Sequence, residues 1–332
     1  MSKSQRRSIA LALLVLAVMA ALSYYRNRSR QEPRPGPVSG KLVIHFLDIG
    51  QGDCELIQLP GGETILIDAG DRGAPTVDLL KKYGVKELNL AIATHPHADH
   101  IGEMRDVLRE FKVDEVWDSG FNHPTKTYAD MLQEIKDRGV KFSTPKQAAS
   151  RQFGQVLVEV LHPANELPDD NPNNASVVVR LTFGGKRFLF TGDTEVESWR
   201  QMLDTERDKL RADLLKAAHH GSSNGTTQDV LDAVRPSIYT ISCAVGNDYH
   251  HPHPKVVGML ERNKSSIKVY RTDLQGTITA VSDGNSIEMS TEKQVPDDRL
   301  YLTGDEAAGK VASDTGGKMD DKSSKRNNRK SR

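Results

Sequence analysis

The sequence predicts an α/β core folded as an αββα four-layer sandwich, with two mixed β-sheets face to face and helices on both outer sides. Three observations predict it. Strand-like apolar runs come in groups in both halves of residues 41–290. Helix-spaced segments lie between them, and several strands stop abruptly at clusters of His, Asp and Gly.

In chain order, Leu42–Asp48 (LVIHFLD) is an apolar strand closed by the turn Gly50-Gln51-Gly52. Glu55–Leu59 and Thr64–Asp68 follow around Pro60-Gly61-Gly62, and the three runs form a β-meander. Thr76–Tyr83 has helical spacing. Leu88–Thr94 is a buried strand ending at His95, Gly102–Phe111 a helix, Val113–Trp117 a strand and Thr127–Arg138 a helix. In the second half Phe153–Leu161, Ser176–Phe183 and Arg187–Thr191 are strands, and Glu195–Leu210 is helical. Asp213–Ala218 and Ser237–Ser242 are strands around a helix over Thr227–Val234. Val256–Glu261, Ile267–Arg271, Thr277–Ser282 and Ser286–Met289 complete the domain.

The flanks differ in composition. The chain has 332 residues, with 45 Lys plus Arg against 45 Asp plus Glu. Residues 1–40 carry seven basic residues and one Glu, and residues 291–332 carry ten basic against eight acidic. The middle therefore holds 28 against 36, a net charge of −8 that excludes a general basic face for nucleic acid. Two cysteines, Cys54 and Cys243, exclude a disulfide framework and a Cys-rich zinc module. Residues 1–25 place Lys3, Arg6 and Arg7 before an apolar run from Ile9, which reads as a signal peptide or an uncleaved membrane anchor. Either puts the domain outside the cytoplasm, with membrane contact through residues 9–25 if they are retained. Residues 26–40 are an Arg/Pro-rich linker, and residues 291–332 read as a disordered tail with a basic end.

His95-Pro96-His97-Ala98-Asp99-His100 is the strongest signal. Three imidazoles and a carboxylate directly after a buried strand form a ligand set for Zn²⁺, Mn²⁺ or Fe²⁺. His95 and His97 can meet at one point, and Asp99 and His100 at a second. Two cations need more ligands, and later strand ends supply Gly192-Asp193, with Asp193 as the bridge, and His219-His220. Which of His219 and His220 is the ligand and which faces substrate stays open.

This order resembles the metallo-β-lactamase fold superfamily. Phe46-Leu47-Asp48-Ile49-Gly50-Gln51-Gly52-Asp53, Ile67-Asp68-Ala69-Gly70, Lys216-Ala217-Ala218-His219-His220-Gly221-Ser222, Asn247-Asp248-Tyr249-His250-His251-Pro252 and Arg271-Thr272-Asp273 extend the resemblance. They point more narrowly to the C-terminal hydrolase domain of ComEC-type DNA-uptake competence proteins. The resemblance implies a metal-dependent hydrolase, without the multi-span channel of those proteins. One departure stands out. The superfamily's further histidine before the Asp193 position is missing; Asn173 and Asn174 fall in that loop, and His162 lies earlier, at another strand end.

The chemistry expected is a hydroxide held between two divalent cations, Zn²⁺ first and Mn²⁺ second, with no side-chain nucleophile. Asp99, His220 and His251 are the expected catalytic groups, with His251 placed to protonate the leaving oxygen. Asp68 orients a ligating histidine; Asp53 sits nearby, and Asp48, His45 and His123 are read as structural. Ser222 and Ser223, in the loop before a helix, offer hydroxyls and N–H groups to a phosphate. The leading expectation is a phosphodiesterase acting on DNA outside the cytoplasm. Cell-wall or choline-phosphate esters come next, then a lactonase or β-lactamase, then a metal-stabilised binding module. No protein partner is inferred.

Overall fold

A computed structural model describes residues 40–314. Among them are seventeen short strands in three sheets. β1 (Leu42–Phe46) and β3 (Thr64–Ile67) each pair antiparallel with β2 (Glu55–Gln58) between them. β5 (Leu90–Ala93), β7 (Glu115–Asp118) and β8 (Lys141–Ser143) then extend the sheet in parallel from β3. The hairpin β16 (Ile278–Ser282) and β17 (Ile287–Thr291) closes its other edge against β1. β4 (Glu87–Leu88) and β6 (Lys112–Val113) form a small separate pair. The second sheet runs antiparallel from β9 (Ser150–Phe153) through β10 (Val156–His162) and β11 (Val178–Phe183) to β12 (Lys186–Phe190), then parallel through β13 (Leu214–Lys216), β14 (Ile238–Ile241) and β15 (Lys268–Arg271).

The strand alternation explains the layers. In β2 and β3, Ile57, Ile65 and Ile67 point into the seam between the sheets, while Leu56 and Leu66 point to the outer face. Phe46 and Phe190 stack across the seam with ring centroids 6.1 Å apart. Parallel neighbours require crossovers, and these are the covering helices. α1 (Thr76–Lys82), α2 (Ala98–Ile101), α3 (Met104–Glu110) and α4 (Lys126–Arg138) serve the first sheet. α5 (Val196–Thr205), α6 (Gln228–Val234) and α7 (Pro254–Arg262) serve the second. α4 shows its sequence signals plainly, with a Thr125 side-chain cap at one end and Gly139 in the left-handed region (φ 63°) at the other. The result is the predicted αββα sandwich. All parallel strands of both sheets deliver their carboxyl ends to one edge, where such folds place ligands.

Several expectations need correction. Phe153–Leu161 is not one strand; Gly154 (φ 51°) turns it into the β9–β10 hairpin. Helix begins at Ala98, inside the histidine cluster, and not at Gly102. The segment after Thr291 is not a disordered tail as far as residue 314. A 3₁₀ turn over Asp297–Tyr301 buries Leu300, and α8 (Thr272–Gln275) and α9 (Gly304–Asp314) complete the helices. Long-range contacts order it. The buried Arg271 guanidinium donates to the carbonyls of Leu300 and Leu302, and the Gly304 N–H donates to the Pro252 carbonyl at 3.0 Å. Residues 1–39 and 315–332, with the leader or anchor, most of the linker and the basic end, lie outside the described residues. Among the described residues no helix is long and apolar enough to cross a membrane, and Cys54 and Cys243 are free, buried thiols.

If the C-terminal segment is part of the core, Leu300→Ala costs about 2–3 kcal/mol of unfolding free energy. Urea denaturation checks this; an unchanged midpoint would refute the structural role.

Candidate metal centre

Six strand ends supply the site. β3 ends at Asp68, β5 at Thr94 and His95, β12 at Asp193, and β13 runs into His219 and His220. β1 leads into the Gly50–Gly52 turn, and β14 leads into the loop that carries Tyr249 and His251. Gly52 (φ 127°) is obligatory, because a Cβ there would overlap the Asp99 carbonyl, which accepts the Asp53 N–H at 3.1 Å. Gly192 (φ 48°) likewise lets the Asp193 turn close on Thr94 and Ser176. His219 and His220 both adopt left-handed backbone (φ 50° and 52°), as does Asp68 (φ 55°), conformations that non-glycine residues keep only where the surroundings hold them.

The ligand atoms of Asp99, His100, Asp193 and His220 lie within 4.8 Å of one another. His100 Nε2 is 3.2 Å from Asp193 Oδ1, and His220 Nε2 is 3.3 Å from Asp99 Oδ2 and 3.5 Å from Asp193 Oδ1. Tetrahedral ligands about 2.0–2.1 Å from one cation are about 3.3 Å apart, so the spacing fits a shared ion. The buried Nε2 atoms of His100 and His220 and Oδ1 of Asp193 have no hydrogen-bond partner, which a cation would remedy. His220 is therefore the member of the pair placed in this cluster.

The tautomers agree. His220 Nδ1 donates to the Ser242 carbonyl at 2.9 Å, which leaves the Nε2 lone pair free. His100 Nδ1 pairs with Asp68 Oδ2 at 2.7 Å. Asp68 also accepts from the Thr94 N–H and hydroxyl, at 2.8 and 2.7 Å. The Thr94 oxygen then accepts from His95 Nδ1 at 3.1 Å, which again frees Nε2. Beside this cluster, His95 Nε2 meets His97 Nδ1 at 3.0 Å and stands 3.8 Å from Asp193 Oδ2. His219 Nε2 approaches the same Oδ2 at 3.6 Å, and its Nδ1 rests on Glu195 at 3.1 Å.

Behind the ligands, buried Lys216 pairs with Asp53 Oδ2, and Asp53 Oδ1 lies 3.2 Å from His220 Nδ1. Burial works to lower the His100 pKa, but Asp193, Asp68 and Asp99 outweigh it and raise it well above the imidazole range. The same contest, with Asp193 and Asp53 prevailing, lifts His220 to about 10. Burial works to raise Asp193, and His100, His220 and His219 hold it well below the carboxylate range. Burial and the nearby His100 keep His95 well below its usual value and therefore neutral. Burial and the Asp53 charge push Glu55 well above the carboxylate range, so it adds no charge. Burial, His220 and His219 push His251 down to about 3, so that ring is neutral.

A cleft of about 320 Å³ opens over the cluster. Gln51, Asp71, His97, Asp99, Asn173, Asp193, His219, His220, Tyr249 and His251 line it together with Ala98. Ser222 and Ser223 do not line it, which corrects the expected phosphate loop. The Ser222 hydroxyl donates to Asn224 and the Ser223 N–H donates to His253, so both groups are used in closing their own loop. His162 sits away from the cleft with Nε2 on the Asn174 carbonyl. His45 packs against Tyr83, the Asp48 N–H donates to the Thr277 hydroxyl at 3.2 Å, and His123 bonds Thr125 while its ring lies 5.7 Å from His97. Sequence reasoning missed the roles of Lys216 and Glu195. In the loop without histidine, Asn173 and Asn171 donate to Glu195 at 2.8 and 3.0 Å, so amides there support a carboxylate that supports His219. The only sequence signal was their position in ligand-bearing turns.

Two sheets that open their strand ends on such a ligand cluster define a metal-dependent hydrolase with a candidate dinuclear site. Residues 47–245 match the model described as the Metallo-beta-lactamase superfamily, and the chain belongs to that superfamily. It is 33% identical over 262 residues to "ComE operon protein 3" of Bacillus subtilis, covering 73% of this chain and 33% of the relative. It is 27% identical over 261 residues to "Recombination protein 2" of Haemophilus influenzae, covering 76% and 31%. The chain thus spans about a third of the length of these relatives. Among solved structures, the metallo-β-lactamase fold protein YhfI from Bacillus subtilis aligns with a TM-score of 0.47 and 14% identity, over 74% of this chain and 100% of that one.

Two outcomes are expected. Asp193→Asn folds, as circular dichroism will show, but binds fewer divalent ions per chain than the parent; unchanged stoichiometry would contradict its bridging place. Because His100 and His220 hold protons when no cation is bound, loading must displace them. Apparent metal affinity therefore rises with pH between 6 and 8, roughly tenfold per unit for each proton displaced. Titration with Zn²⁺ in weakly buffered indicator solution reads the released protons directly.

Proposed function

We propose that the protein is a phosphodiesterase that uses two divalent cations, Zn²⁺ or alternatively Mn²⁺, to cleave DNA outside the cytoplasm. The observation that carries this reading is the lining of the cleft. Imidazoles, carboxylates and the amides of Gln51 and Asn173 make up most of it, and Ala98 and the Tyr249 ring are the apolar members of a wall otherwise suited to a charged ester. The relative named for recombination, together with the resemblance to ComEC-type competence proteins, supports a nucleic-acid substrate. The apolar run after the basic N-terminus supports an extracytoplasmic site of action.

Bound cations supply Lewis-acid activation of water and charge stabilisation at a phosphoryl oxygen. The chain's own residues do the positioning. Asp68 and the Ser242 carbonyl fix the rings of His100 and His220, and Glu195 fixes His219 so that its Nε2 faces the cleft. His251 stands beside them as a neutral imidazole that can donate one N–H to a substrate oxygen.

The test is hydrolysis of bis(p-nitrophenyl) phosphate and of linear single-stranded DNA by the full chain, after chelation and after return of Zn²⁺ or Mn²⁺. Metal-restored cleavage of both is expected. Cleavage of the small ester alone would move the substrate to cell-wall or choline-phosphate esters. No cleavage with metal demonstrably bound would discard the phosphodiester reading.

A further inference from the structure

The cleft carries one aromatic ring that neither the fold nor the hydrolytic centre uses. Tyr249 is 59% exposed, more than the other exposed large apolar side chains among the described residues. Its ring lies nearly parallel to that of His251, at 19° with centroids 5.7 Å apart. His251 is in turn 5.5 Å from His219 and 6.1 Å from His220. A file of rings therefore runs from the ligand cluster to solvent and ends in the open phenol ring.

The backbone beneath that ring is held. His253 Nε2 bonds the Tyr249 carbonyl at 3.0 Å. The Asn247 amide donates to the carbonyls of Ala244 and His251 at 2.8 and 2.7 Å, and accepts the His251 N–H at 3.0 Å. The Ala244 N–H reaches Gln51, itself part of the cleft wall, at 3.3 Å. A ring presented on a fixed loop loses little freedom when something stacks on it.

We propose that Tyr249 is the stacking platform for an unpaired base of single-stranded DNA, next to the phosphodiester held over the cluster. The inference rests on the phosphodiesterase reading and narrows its substrate. Every base has a π-face, so an aromatic platform accepts any sequence, but in a duplex those faces are already covered. Charge favours the same choice. Residues 41–290 carry a net −8, and Asp71 and Asp99 line the cleft, so the phosphate neutralisation that duplex binding relies on is lacking. Stacking supplies attraction that does not depend on it.

The experiment compares the full chain, Tyr249→Phe and Tyr249→Ala, each loaded with Mn²⁺, on three substrates. These are a single-stranded oligonucleotide, the same strand with an abasic tract, and its duplex. The parent and Tyr249→Phe are expected to cleave the base-bearing strand with kcat/KM about tenfold above the abasic tract and the duplex. Tyr249→Ala is expected to lose that preference, with metal content and thermal midpoint equal to the parent's. If the parent cleaves all three alike, or Tyr249→Ala keeps the preference, the platform is refuted and the phosphodiesterase reading stands. If the metal-loaded parent cleaves none of them, that reading falls and takes the platform with it.

Discussion

The buried carboxylate of Asp193 is the interaction on which the rest of the structure depends. An ionised group with almost no access to water is expensive unless opposite charge surrounds it. Here His95 and His100 close on it from the end of β5, and His219 and His220 from the end of β13. Around these imidazoles stand Asp53, Asp68, Asp99, Asp193 and Glu195, against one buried cation, Lys216. With neutral imidazoles that leaves four uncompensated negative charges, the number that two divalent ions balance. Protons on His100 and His220 stand in for part of that charge when no ion is present, which is why both rings are pushed to hold protons so firmly. Strand ends from both sheets reach this one acidic spot.

Holding them there demands unusual backbone. Asp68, His219 and His220 all sit at positive φ, a cost of order 1–3 kcal/mol each. The two histidines are adjacent, so the chain turns sharply at the end of β13 and aims both rings into the cleft from neighbouring positions. Their outer nitrogens are secured differently, His220 by the Ser242 carbonyl and His219 by Glu195. A carbonyl partner and a carboxylate partner give the two rings different electronic surroundings despite their adjacency. The first ring is buried among the ligands, and the second is left 21% exposed at the cleft.

Much of this was legible in the sequence, and the part that was not has a common cause. The HPHADH cluster is local, so six residues after a buried strand announce it. Asp193 and His219-His220 were readable because each follows a short apolar run at a strand end. Asp68 was readable through its place beside the meander, and it does hold His100. Partnerships across large separations were invisible. Lys216 and Asp53 are 163 residues apart, and neither residue type at its own position signals the other. Glu195 looked like the start of a helix. Ser222 and Ser223 misled because a hydroxyl before a helix looks the same whether it faces a ligand or, as here, its own loop.

The C-terminal segment shows the same limit and connects it to the cleft. Composition argued against order after Thr291, because small and charged residues offer little to bury. What orders the segment is its reception by the domain: Arg271 captures the carbonyls of residues 300 and 302, and Ala307 is fully buried in the outer core of the second sheet. Gly304 lies so close to the carbonyls of His250 and His251 that a Cβ would overlap them, and His250 Nδ1 meets Asp305 at 2.6 Å. These contacts fall on the loop that carries Tyr249 and His251. Contacts with the last described helix thus hold the wall of the cleft in place from behind, and a segment without ligands of its own helps to set where a substrate meets the protein.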